Sequence, residues 1–137
     1  MKIPKKLEYA CRVLLQLARR YDTGSLSQLD ELAQCEDVSS NFLAQILTDF
    51  RKAGLVESRR GKSGGYLLSR PPGTISLYEV ILLFEGHLLE FSSTEKGESA
   101  LNVLESWKKM EHAMKEEAQS LTLDKMLEGS EVPMYFI

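Results

Sequence analysis

The stretch Ser39–Tyr66, SSNFLAQILTDFRKAGLVESRRGKSGGY, decides how the chain is read. Ser39 or Ser40 supplies a short side-chain oxygen for the unpartnered amides of a first helical turn. Phe42, Leu43, Ile46, Leu47 and Phe50 then recur at three- and four-residue spacing, which gives one apolar face. The opposite face carries Asn41, Gln45, Thr48 and Arg51, whose side chains suit base edges and phosphates. Gly54 after Arg51 and Lys52 is a helix stop signal. Leu55–Ser58 and Tyr66–Ser69 read as short strands flanking Arg59, Arg60, Gly61, Lys62, Ser63, Gly64 and Gly65. Four basic or hydroxyl side chains among three glycines make a positive tip that can approach a polyanion closely. A polar-faced helix followed at once by a basic hairpin is the arrangement of a recognition helix and a wing.

The charge balance agrees once it is taken locally. The net charge is −3, yet residues 1–72 hold 12 Lys/Arg against 8 Asp/Glu, and residues 73–137 hold 5 against 12. Fields are screened over about 10 Å, so a basic front and an acidic back act separately. With 137 residues, the chain suits one domain with a real core and an appended helical segment. Nothing approaches the ~20 apolar residues of a membrane span. The start, MKIPKKLEYACRVLLQLARR, imitates a signal peptide only faintly, because Glu8, Arg12, Arg19 and Arg20 interrupt it. The expected setting is therefore the cytoplasm. Two cysteines, Cys11 and Cys35, are too few for a disulfide framework.

Residues 4–20 place Leu7, Ala10, Cys11, Leu14, Leu17 and Ala18 on one helical face, with Lys5, Lys6, Arg12, Arg19 and Arg20 opposite. Ser27 is expected to open a short helix with Leu29, Leu32 and Ala33 inward. Glu36-Asp37-Val38 is a tight connection to the next helix, which is helix-turn-helix spacing. A plain helical hairpin would explain the two helices alone, and the basic hairpin after them decides for a winged helix. Pro71 and Pro72 close the second strand, and Ser76 with Glu79 forms a capping box for a helix ending at Gly86. That helix is apolar on most sides, which predicts burial. Residues 98–121 predict a helix of about 36 Å. Its stripe of Val103, Trp107, Met110, Met114, Ala118 and Leu121 needs a cover that a small winged helix lacks, and a second copy of the chain is expected to supply it. The final MYFI is expected to dock rather than float.

The expected fold is thus mostly α with a small β-hairpin wing: a winged helix-turn-helix plus a long C-terminal dimerisation helix. Its divisions are residues 1–86 for DNA binding, 87–97 as a connecting loop, and 98–137 for dimerisation. Phosphate contacts are expected from Lys5, Lys6, Arg51, Lys52 and Lys62.

RKAGLVESRRGKSGGYLLSRPP (51–72) followed by ISLYEVILLFEG (75–86) closely resembles the Rrf-type family of winged-helix regulators, which includes IscR, NsrR and CymR. KLEYACRVLLQLA (6–18) and LTLDKML (121–127) fit the same pattern, so the resemblance spans nearly the whole chain. It implies a homodimer whose long helices cross, with recognition helices in successive major grooves and wings in the flanking minor grooves. It places Ser39, Asn41 and Gln45 at recognition-helix contacts. Arg60 matches the wing arginine, with Arg59, Lys62 and Ser63 beside it. Ala44 stands where several relatives have glutamate, so no relative's operator transfers. Iron–sulfur members carry three cysteines in a span matching His87–Ser106, which here has none, so no cofactor or metal is expected. Glu8, His87, Glu90 and Glu95 offer metal donors only as scattered, solvated groups. Cys11 and Cys35 read as small buried hydrophobes before they read as a redox switch.

The leading expectation is a homodimeric, sequence-specific DNA-binding regulator acting as a repressor on a double-stranded operator. The alternative is a winged-helix module that docks onto a partner protein, which would not need the basic wing. No nucleotide loop, ligand cluster or nucleophile with its base indicates an enzyme. The signal sensed, whether through an effector or a partner protein, stays open.

Overall fold

The computed structural model describes residues 2–92 and 96–129. MYFI, expected as a docked tail, and Glu95, a candidate donor, lie outside them. The order is α1 (Lys5–Arg19), α2 (Leu29–Cys35), α3 (Ser40–Lys52), β1 (Val56–Arg59), β2 (Gly65–Leu68), a 3-10 turn (Pro72–Thr74), α4 (Leu77–Glu85), α5 (Ala100–Ser120) and α6 (Leu123–Glu128). β1 and β2 form one antiparallel hairpin in which Val56 faces Leu68 and Arg59 faces Gly65. The fold is therefore mostly helical with a two-stranded wing.

One core holds the front together. Leu7, Ala10, Val13, Leu14 and Leu17 of α1 meet Leu32 of α2, and Leu43, Ile46, Leu47 and Phe50 of α3, all essentially inaccessible to water. Burying each large side chain contributes roughly 1.5–3 kcal/mol. Val56, Leu68, Ile75 and Val80 extend this core under the wing and α4. Leu123 also belongs to it, because α6 folds back against α1. The backbone ties of that return are Leu77 N–H to the Leu121 carbonyl (2.8 Å) and Leu123 N–H to the Ile75 carbonyl (3.0 Å).

Local chemistry explains the boundaries of α3. Ser39 is the N-cap, its hydroxyl accepting from Phe42 N–H at 3.2 Å. Ser40 instead donates to Asp30 of α2 at 2.8 Å, which braces the two helices. Asp37 turns between them at φ 53°, a left-handed conformation that aspartate tolerates better than most residues. At the other end Gly54 adopts φ 79°, letting Leu55 N–H reach the Phe50 carbonyl at 3.0 Å and turn the chain into β1.

Two expectations need correction. Ser27 does not open α2, which begins two residues later; it is wholly buried and bridges Tyr66 of β2. Its backbone groups are satisfied by the wing rather than by a helix. Burial of α4 is also only partial. Val80 is covered and Phe84 stacks edge-on against Phe50 at 5.3 Å, but Leu82 and Leu83 stay 36% and 39% exposed. Ser76 does cap α4, accepting from Glu79 N–H at 3.2 Å. The Glu79 carboxylate pairs with Arg70, which stands ahead of the helix.

Candidate nucleic-acid interface

The outward face of α3 presents Asn41 and Gln45, both exposed and one helical turn apart. Thr48, on the same face, is half-buried, and its hydroxyl donates to the Ala44 carbonyl at 2.8 Å. Arg51 is exposed in the last turn and reaches Ser58 of β1 at 3.4 Å, so the end of α3 and the root of the wing share one basic edge. At α1, Lys6 pairs with Asp49 of α3 at 2.9 Å. Lys6 and Gln45 line one shallow depression, and Lys6 and Lys52 line a second beside it. Lys5 lies over the Tyr9 ring, 5.9 Å from its centre. The amino-terminal lysines therefore border α3 rather than standing apart from it.

The wing continues this surface. Arg59, Arg60, Lys62 and Ser63 are all exposed, and Arg59 has only a loose pairing with Glu57 at 3.8 Å. The tip is a tight turn closed by Gly64 N–H on the Gly61 carbonyl at 3.0 Å. Gly65 is required for space: a Cβ there would sit 2.5 Å from the Ser27 carbonyl oxygen. Sequence reasoning missed Gln28, whose Nε2 donates to the Lys62 carbonyl at 3.2 Å. No local pattern announces a contact between residues so far apart in the chain.

The back of the molecule holds the apolar surface. Leu101, Val103, Trp107, Met110 and Met114 of α5 are 37–61% exposed. Ala118 is buried and Leu121 half-buried within the same chain, so the stripe is open chiefly in its first four turns.

The donors after α4 do not suit an iron–sulfur cluster. Such a cluster needs thiolates, and both cysteines lie elsewhere, Cys11 in α1 and Cys35 at the end of α2. His87 meets Glu90 at 3.3 Å, and among the described residues no three His, Cys, Asp or Glu side chains converge as a metal site. Burial, with the charge of Glu8 second, pushes the Cys11 thiol up to about 11, which makes it unreactive at neutral pH. Cys35 is exposed, contrary to its reading as a buried hydrophobe: it ends α2 on the solvent side. No helix of the described residues is long and apolar enough to cross a membrane.

Comparison with known proteins gives this surface its context. The Rrf2 family, described as iron-dependent transcriptional regulators, matches residues 3–129. The transcriptional regulator CymR of Bacillus subtilis is 35% identical over 90% of this chain and 88% of its own length. The structure of CymR, the global cysteine regulator of B. subtilis, superposes with a TM-score of 0.84 at 31% identity, covering 96% of this chain and 99% of that one. That of T. potens IscR gives 0.76 at 29% identity, covering 99% and 96%. These likenesses run through the helix-turn-helix, the wing and the long helix alike, and the chain belongs to the Rrf2 family of DNA-binding transcriptional regulators.

Proposed function

We propose that the protein acts as a homodimeric repressor in the cytoplasm, each protomer reading one half of a two-fold symmetric operator. Residues 1–86 bind DNA, 87–97 connect, and the long helix within 98–137 joins the protomers. The observation that carries this reading is the open stripe of Val103, Trp107, Met110 and Met114 on α5, an apolar face that the described residues leave in water. A second copy presents the same stripe, and a two-fold contact satisfies both. Leu121 sits at the covered end of that stripe and sets where the crossing begins.

In such a dimer, Asn41 and Gln45 face base edges in the major groove. Ser39, Arg51, Lys5 and Lys6 hold the phosphates on either side. Arg60 enters the narrow, electronegative minor groove, with Arg59, Lys62 and Ser63 along its walls. Repression follows where the operator overlaps a promoter. The test is selection of genomic fragments by the purified protein at two salt concentrations, with the bound species sized. Enrichment of a symmetric sequence that survives the higher salt, bound by a dimer, is the expected result. Uniform binding that vanishes with modest salt would overturn it. A promoter fusion carrying the selected site then distinguishes repression from activation.

A further inference from the structure

Gln28 occupies the N-cap position of α2 but makes no side-chain cap for it. Its amide goes instead to the wing, donating to the Lys62 carbonyl at 3.2 Å. The residue before it anchors the loop end of β2, where Tyr66 pairs with Ser58 one step from the turn. Ser27 exchanges both backbone hydrogen bonds with Tyr66, at 2.9 and 2.8 Å. The Ser27 hydroxyl accepts from Arg20 at 2.7 Å, and Arg20 in turn pairs with Glu31 of α2 at 2.6 Å. The wing is thus held along the loop end of β2 by residue 27 and at its tip by residue 28. The two strands are only four residues each, and a hairpin that short does not hold its direction alone.

We infer that Gln28 is a positioning residue for DNA binding: its amide fixes the wing tip against the helix-turn-helix, so that Arg60 and Lys62 are already aligned with α3 before DNA arrives. The inference rests on the wing reading proposed above. Losing the tether removes no DNA contact. It makes the wing pay the cost of ordering at the moment of binding, which lowers affinity through preorganisation alone.

The experiment compares Gln28→Ala, Arg60→Ala and the double variant, with affinity for the selected operator measured by fluorescence anisotropy. Backbone relaxation of amides 60–64 is recorded in the DNA-free proteins. Gln28→Ala is expected to weaken binding about 2- to 10-fold, the range a single hydrogen bond commands. In the Arg60→Ala background it should add little, because the wing no longer has its principal contact to deliver. Wing-tip amides should gain fast motion while those of α3 keep theirs. Additive losses would overturn the inference, showing that Gln28 touches DNA itself, and so would unchanged affinity or unchanged wing relaxation in Gln28→Ala. If wild-type protein selects no operator, or Arg60→Ala binds normally, the DNA or wing reading fails on its own. Relaxation then still decides whether Gln28 orders the tip.

Discussion

The front and back of this molecule treat water in opposite ways. At the front, α1 to α3 send their apolar side chains inward until Leu14, Ile46 and Phe50 are inaccessible, while α3 turns Asn41 and Gln45 outward and the wing does the same with Arg60 and Lys62. At the back, α5 leaves Val103, Trp107 and Met110 in solvent. An exposed amide or guanidinium costs nothing in water, whereas a contiguous row of exposed Trp, Met and Val does. The two faces therefore differ in the partner each can take. The front suits a hydrated polyanion whose contacts are polar and salt-dependent, and the back suits another apolar surface. The change in sign of charge along the chain, basic before residue 72 and acidic after it, reinforces the division.

The largest effect should come from the shared core beneath the front. Phe50 is fully buried and meets Phe84 edge-on. Phe50→Ala should cost about 3–5 kcal/mol in denaturant unfolding and loosen α4 together with α3. Trp107, in contrast, is 44% exposed within one chain. Trp107→Glu should leave protomer helicity unchanged by circular dichroism, yet sediment as a monomer where the wild type is expected to sediment as the proposed dimer. Its affinity for a two-half-site operator should fall by about 100-fold or more, because the second half-site no longer gains from the first. A dimeric Trp107→Glu would show that the stripe is covered by something else. Arg60→Ala acts on the front alone. It should weaken operator binding by about 1–3 kcal/mol without moving the melting temperature.

What the sequence disclosed, and what it hid, divides along the same line. α3 was legible because its signals are local: a serine cap, a three- and four-residue apolar period, and a glycine stop. The strands emerged within one residue of expectation, since the glycine-rich tip fixes where they can begin. Ser27 was misread because serine before a helical pattern is ordinarily a cap, while its real partner, Tyr66, lies across the fold. Gln28 and Lys62 meet only once the hairpin has closed. Cys35 closes a short helix whose inward positions are Leu32 and Ala33, and composition alone does not say which side a terminal residue faces. α4 shows a further limit: its apolar content announced burial but not whose surface would provide it, so Leu82 and Leu83 remain open in the protomer.

The smallest expected effect concerns the seam between α1 and α3, where Lys6 pairs with Asp49 at 2.9 Å and both side chains are more than a third exposed. Such a pair contributes well under 1 kcal/mol to folding, so Lys6→Ala and Asp49→Asn should each unfold almost as the wild type does. Their effects on DNA binding should nevertheless diverge. Asp49 is a carboxylate on the helix that would lie against phosphates, and Lys6 offsets its charge. Removing Lys6 exposes that carboxylate and should weaken binding several-fold, more so at low salt, where repulsion is least screened. Removing Asp49 frees Lys6 for a phosphate and should strengthen binding slightly. The double variant then distinguishes two roles for the lysine. If Lys6 only offsets Asp49, Lys6→Ala costs little once Asp49 is gone. If Lys6 holds a phosphate directly, the loss persists and the dependence of log affinity on log salt becomes shallower by about one unit. Titrations of all four proteins across salt concentration read both outcomes from one set of curves.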